Sequence, residues 1–283
     1  MKSVVVTGVS SGIGYGVAKE LIGRGYRVFG SVRREADAAR LEAELGERFA
    51  PLVFDVTDRE AVLRAAEEVG GVLGTGGLAG LVNNAGVAIA GPLMHQPLEE
   101  VRAHFEVNVV GLISTTQAFL PLLGAKRPRT HPPGRIINIS SVGGRIASPF
   151  IAAYAGTKHA VEGVSDSLRR ELLPYGIDII VIRPGAVKTE IWGKAAEPGV
   201  EAYADTDYAE PLANFEEYAM NLAKGGYSPE ELGKRVANVF EARRPKTRYA
   251  IVPGRLTGWT IPTLLPDRLL DRFIGRSIGL LRR

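Results

Sequence analysis

The chain of 283 residues contains no cysteine. Disulfides, thiolate metal sites and a cysteine nucleophile are therefore excluded, and a cysteine-free chain suits a reducing, cytoplasmic setting. Long apolar runs are also missing. No stretch approaches the 18 or more residues of a membrane span. The opening Met1-Lys2-Ser3-Val4-Val5-Val6-Thr7-Gly8 is too short in apolar residues for a secretory signal. Charge of one sign is scarce as well, with 35 basic residues against 31 acidic. A nucleic-acid-binding domain would show a dominant basic face, so no such partner is expected. The four histidines, His95, His104, His131 and His159, have no acidic companions at ligand spacing, so no metal is expected either.

What is present is the profile of an ordinary globular protein, 45% hydrophobic and 23% charged. Short β-branched runs are expected as strands near 2–7, 27–32, 50–54, 79–83, 134–140, 177–182 and 248–252. Helical patterns lie between them, near 12–24, 35–46, 58–70, 98–123, 152–174 and 229–242. Near-continuous Val/Ile/Leu runs point to strands buried on both faces. Strand and helix in alternation predict a doubly wound parallel α/β sheet, Rossmann-type, as one domain over 1–283. Residues 124–134, rich in proline and basic residues, read as a surface loop. Residues 184–228 should cover the carboxyl edge of the sheet, where such folds bind ligands.

After the first strand comes Thr7-Gly8-Val9-Ser10-Ser11-Gly12-Ile13-Gly14. Glycines there permit a tight turn and close backbone approach to a pyrophosphate, which a helix N-terminus attracts. The plainer alternative is a simple βα turn. The same residues satisfy G-x-S-x-G, the hydrolase nucleophile elbow. That fold needs a histidine late in the chain, and none follows His159.

Tyr154 and Lys158 stand four residues apart on one predicted helix face. A free phenol titrates near pH 10, too high for proton transfer at neutrality; a neighbouring ammonium lowers it. Spacing alone is weak evidence, because Tyr15 and Lys19 repeat it. Context separates the pairs. Ser141 lies just past the strand 134–140, followed by Val142-Gly143-Gly144, and a hydroxyl there can bond a reacting oxygen. Tyr15 has no such companion.

With these residues the chain resembles the short-chain dehydrogenase/reductase family over nearly its whole length. Within it the chain is most similar to the branch containing 17β-hydroxysteroid and retinol dehydrogenases. The matching pieces are TGVSSGIG at 7–14, Asp55-Val56, Asn83-Asn84-Ala85-Gly86, Asn108, the Ser141/Tyr154/Lys158 set, and Arg183-Pro184-Gly185 with Thr189. The resemblance implies reversible hydride transfer between a nicotinamide dinucleotide and a carbonyl or alcohol. It implies that Tyr154 is the general acid/base, that Lys158 lowers its pKa and holds the nicotinamide ribose, and that Ser141 polarises the carbonyl. Asn108 is implied to kink its helix and hold a relay water. Cofactor contacts are implied at Gly8, Ser10, Ser11, Gly12, Ile13 and Gly14, at Asp55 and Val56, and at Asn83, Ala85 and Gly86. Tyr154 and Lys158 themselves, Pro184, Gly185, Val187 and Thr189 complete them. Asp55 could instead cap the helix near 58. A non-catalytic dinucleotide-binding regulator of the same fold has no need of all four of Ser141, Tyr154, Lys158 and Asn108.

An acidic residue about 20 positions after the glycine loop would select NAD. Val32 occupies that place, with Ser31 before it and Arg33 and Arg34 after. Arg33 is expected to meet a 2′-phosphate by a charge-assisted fork, with Ser11 adding a hydroxyl, so NADP(H) is preferred over NAD(H). Arg34 reads as a solvated residue.

Loops 87–95, 142–150 and 186–220 should face the substrate and offer Ile146, Phe150, Ile191, Trp192 and Tyr218, which predicts a small hydrophobic carbonyl or alcohol. From Arg255 onward six arginines stand against two aspartates, the whole of the chain's +4. Leu265, Leu269, Leu270, Phe273, Ile274, Ile278 and Leu281 recur at helical spacing in this basic 255–283 tail. The main expectation is that this stripe packs on the body or on a second subunit of a homo-oligomer. The alternative is weak membrane-surface contact.

Overall fold

A computed structural model of the chain describes residues 1–189 and 199–281. Seven strands run parallel in the order β3-β2-β1-β4-β5-β6-β7. They are β1 Ser3–Val6, β2 Arg27–Val32, β3 Phe49–Val53, β4 Leu78–Asn83, β5 Arg135–Ile139, β6 Asp178–Pro184 and β7 Arg248–Ile251. The doubly wound parallel fold expected from the sequence is the one observed. Alternate side chains serve opposite faces, as a two-residue period requires. Val4 and Val6 join a core with Leu21, Leu41, Val236 and Phe240. Val5 points the other way, into a core with Phe29, Val62, Leu81 and Phe119. Both faces are therefore covered by helices.

The helices are α1 Gly12–Gly23, α2 Glu35–Leu45, α3 Arg59–Leu73, α4 Leu98–Phe105, α5 Gly111–Phe119, α6 Ala152–Glu171, α7 Ala209–Lys224, α8 Pro229–Glu241, α9 Ile261–Leu264 and α10 Asp267–Ser277. Local chemistry sets several starts. The Asp58 carboxylate accepts from Ala61 N–H at 3.0 Å and caps α3. Ser228 and Glu231 form a reciprocal capping box on α8, with Pro229 at the first helical position.

Three departures from the sequence expectation have physical reasons. The helix expected over 98–123 is split by a wider turn at Glu106–Val110, with Asn108 at its centre; side-chain hydrogen bonds from Asn108 hold that turn. The segment 184–228 contains the helix α7, which buries Leu212 and Phe215 while leaving Tyr218, Met220 and Leu222 exposed. Ahead of α10, residues 256–264 are helical as well.

Because β1 and β4 are neighbours, the chain winds in opposite directions from the middle of the sheet. A crevice opens there at the carboxyl ends of the strands.

Candidate active site

The crevice is a groove of about 470 Å³. One end is built by the glycine loop. Gly8 and Gly12 have positive φ, 69° and 61°, in the left-handed region that disfavours side chains. At Gly14 close approach is the reason, since a Cβ would lie 2.3 Å from the Gly8 carbonyl oxygen. Ser31 Oγ accepts the Gly8 N–H at 3.0 Å and ties the loop to the end of β2. Ser11 sits at the N-cap of α1 without bonding its helix through the side chain.

Arg33 lines the groove beside Ser31 and Val32, whereas Arg34 donates twice to Asp37, at 2.7 and 3.1 Å. Two adjacent arginines thus stand in different places, one in the groove wall and one paired with Asp37. Asp55 and Val56 also line it. The Asp55 carboxylate accepts from the amide and hydroxyl of Thr57, and the cap of α3 is Asp58 instead.

Two residues fall outside the expected wall, Gly14 and Asn83. Asn83 is buried beneath it, donating to Thr116 Oγ1 and Asn138 Oδ1 at 2.9 Å each. Its strand position faces α5, not the crevice. Asn84 lines the groove in its place and donates to the carbonyls of Thr7 and Gly8. Sequence reasoning passed over it, although Asn84 stands inside the quoted Asn-Asn-Ala-Gly string. Ala85, Gly86, Pro184, Gly185, Val187 and Thr189 line the groove together with Gly8, Ser10, Ser11, Gly12 and Ile13.

At the other end the sequence-predicted set converges. Ser141 follows β5 and its Oγ accepts the Gly143 N–H at 3.0 Å. Tyr154 and Lys158 project from the first turns of α6, and both are buried. Gly144 is needed for close approach, because a Cβ there would lie 2.6 Å from Ser140 Oγ and 3.0 Å from the Lys158 carbonyl. Burial pushes the Tyr154 phenol above its ordinary pKa, and a hydrogen bond with Ser141 opposes that shift. Burial also lowers Lys158 to about 8. Its ammonium donates to the Ile139 carbonyl at 3.0 Å and lies 5.5 Å from the Tyr154 ring centroid.

Asn108 is buried next to this set without lining the groove. Its Oδ1 accepts from Val87 N–H at 2.8 Å, and its Nδ2 donates to the Val87 carbonyl and to Thr157 Oγ1. It locks the wide helical turn to the loop after β4 and to α6. His104 performs a similar task. Ile89 N–H donates to its Nε2 at 2.9 Å, which leaves the proton on Nδ1 to reach the Glu100 carbonyl at 2.7 Å.

The expected substrate residues are redistributed. Phe150 is buried at positive φ, 65°, with its ring edge-on to Tyr208 and Phe215. It holds α7 against the body and is not in the groove wall. Tyr218 is 54% exposed on the outer side of α7, and Ile146 is half-buried outside the wall. Ile191 and Trp192 lie outside the described residues. Tyr154 itself belongs to an apolar cluster with Phe150, Ala88, Ala90, Tyr203, Leu212, Phe215 and Ile278.

The groove suits an elongated phosphate-bearing dinucleotide. A glycine cradle and the N-terminus of α1 face Thr189, whose Cγ2 would be 3.2 Å from a Cβ on Gly12. Among the described residues no cluster of histidine and acidic side chains could hold a metal.

A short chain dehydrogenase family model matches residues 2–198. The chain belongs to the short-chain dehydrogenase/reductase family. It is 43% identical over 278 residues to an NADPH-dependent 3-dehydrocapnine reductase from Ornithobacterium rhinotracheale, covering 98% of each chain. Retinol dehydrogenase 7 from Rattus norvegicus is 30% identical over 98% of this chain and 87% of its own. A crystal structure of a short-chain dehydrogenase from Streptomyces avermitilis superimposes with a TM-score of 0.75 at 26% identity, over 99% of this chain and 98% of that one. The family identification accounts for the fold and makes the chain an oxidoreductase.

Proposed function

We propose that the protein is an NADPH-dependent reductase of a hydrophobic ketone or aldehyde. The observation that carries this reading is the position of Tyr154. Its phenol bonds Ser141, stands one helical turn from Lys158, and has its ring in an apolar cluster. Arg33 lies in the wall of the same groove. The NADPH-dependent relative supports the cofactor choice, as does the uncharged Val32 where an acidic residue would repel a 2′-phosphate.

NADPH, when bound, supplies the hydride. Arg33 and Ser11 would hold its 2′-phosphate, the glycine loop its pyrophosphate, and Asp55 and Val56 its adenine. The Ser141 hydroxyl donates to the substrate carbonyl oxygen and polarises it. Tyr154 delivers its proton to that oxygen as general acid. The Lys158 ammonium favours the phenolate left behind and takes the nicotinamide ribose hydroxyls. Asn108 keeps α4, α5 and α6 in register beneath them. Apolar side chains around Tyr154 would receive the rest of the substrate, with Tyr203, Leu212 and Phe215 beside it.

The test follows NADPH absorbance with a panel of steroid, retinoid and long-chain carbonyls. Tyr154→Phe should lose nearly all turnover while NADPH binding stays close to wild type. Ser141→Ala should lose about 100-fold. Undiminished turnover by Tyr154→Phe would overturn the reading.

A further inference from the structure

Helix α10 has two apolar faces, and only one is covered. Ile278, just past its end, is buried in the cluster that contains Tyr154, Leu212 and Phe215, with Ile274 packed against it. Asn214 Nδ2 donates to the Ile278 carbonyl at 3.3 Å. This part of the expectation, packing on the body, is met. The other stripe is not covered: Leu269 is 52% exposed and Phe273 69%. Just upstream, Leu256 and Leu264 are exposed at 66% and 77%.

Charge is sorted around the open stripe. Arg268, Arg272 and Arg276 recur every fourth residue, so they form one row along the helix. Arg272 and Arg276 stand three residues after Leu269 and Phe273, which places them beside the apolar stripe, with Arg268 at the outer end of the row. Asp271 falls on the far side of the helix from Phe273. The tail from Arg255 onward carries +4, and the remainder of the chain is neutral. An exposed apolar stripe bordered by arginines, on an otherwise neutral protein, complements a surface that is apolar inside and negatively charged outside. A second copy of this chain would present the same positive row and repel it.

We propose that the outer face of α10, with Leu256 and Leu264, docks the protein on an anionic lipid bilayer. The docking face is the back of an element whose inner face closes the apolar cluster at Tyr154. Trp259, in the turn leading to α9, lies under the Arg183 guanidinium at 5.4 Å and anchors the tail beside Pro184. The substrate end of the groove is thereby held next to the membrane.

The experiment is sedimentation of the full chain with vesicles of phosphatidylcholine, with or without phosphatidylglycerol, at low and high salt. Wild type should pellet with the anionic vesicles only, and high salt should release it. Two variants separate the contributions: Leu269→Glu/Phe273→Glu, and Arg268→Gln/Arg272→Gln/Arg276→Gln, which changes only exposed side chains and leaves the core intact. Both should pellet at least tenfold less while keeping wild-type NADPH binding and turnover on a short, water-soluble ketone. Failure of wild type to pellet, equal pelleting with neutral vesicles, or undiminished pelleting of the arginine variant would overturn the proposal. So would a wild-type dimer that the Leu269→Glu/Phe273→Glu variant converts to monomer, since that result assigns the face to a second copy.

Discussion

Glu162 accepts both arms of the Arg183 guanidinium, at 2.7 and 2.8 Å. The carboxylate also receives Arg248 Nε at 2.8 Å, and Arg248 continues to Asp166 at 2.7 Å. Burial acts to raise the Glu162 pKa, but the two arginines hold it below the ordinary carboxylate value. The pair links α6, one turn after Lys158, to the ends of β6 and β7. Glu162→Gln takes the carboxylate from two half-buried arginines, of which Arg248 keeps Asp166, and should cost on the order of 1–2 kcal/mol, or roughly 2 to 6 °C of melting temperature. A calorimetric scan of the variant checks this, and an unchanged transition would show that solvent compensates.

Lys158 gives the cofactor-free protein a distinctive alkaline response. Its folded pKa of about 8 lies below the ordinary 10.5. Between those values the unfolded chain keeps a proton that the folded chain has released. Stability therefore rises with pH through this window, by roughly 3 kcal/mol. Lys158→Met removes the effect. Wild-type stability relative to the variant should rise by roughly 3 kcal/mol from about pH 7 to about pH 10 in denaturant titrations. Parallel curves would contradict a buried, titrating ammonium.

Arg33 and Arg34 should respond differently to substitution. Arg33→Asp should weaken NADPH binding by about 100-fold and leave NADH binding little changed. Arg34→Asp should leave the binding of both cofactors little changed, because Arg34 is engaged with Asp37. Fluorescence titration of both cofactors distinguishes the two; equal losses would mean that the pair acts only through net charge.

Helices α1 and α8 cross backbone to backbone. A Cβ on Gly16 would sit 2.0 Å from the Pro229 carbonyl oxygen, and one on Gly233 would sit 2.2 Å from that of Gly16. Neither obstacle is a flexible side chain. Gly16→Ala or Gly233→Ala should destabilise by about 1–3 kcal/mol, seen as a lower denaturation midpoint with an unchanged slope. Wild-type stability would mean that the helices separate freely.

The sequence by itself determined the succession of strands, the glycine loop, and the one-turn spacing of Tyr154 and Lys158. Each rests on local rules: β-branched runs, glycine at positive φ, and two side chains one helical turn apart. Tertiary structure decided what neighbours do differently. Asn83 and Asn84 are adjacent and chemically identical, yet pairing with Asn138 and Thr116 turns one inward and leaves the other at the groove. Phe150 reads as a loop residue, but the fold sets its ring edge-on to Tyr208 and Phe215 in the same cluster as Tyr154. Glu162 reads as one more helical acid until β6 and β7 bring Arg183 and Arg248 to it from 21 and 86 residues away. The periodicity of the tail marks its apolar residues without sorting them into a packed and an open face. That sorting depends on which side of α10 meets Leu212 and Phe215, a contact between segments more than 50 residues apart that no local pattern encodes.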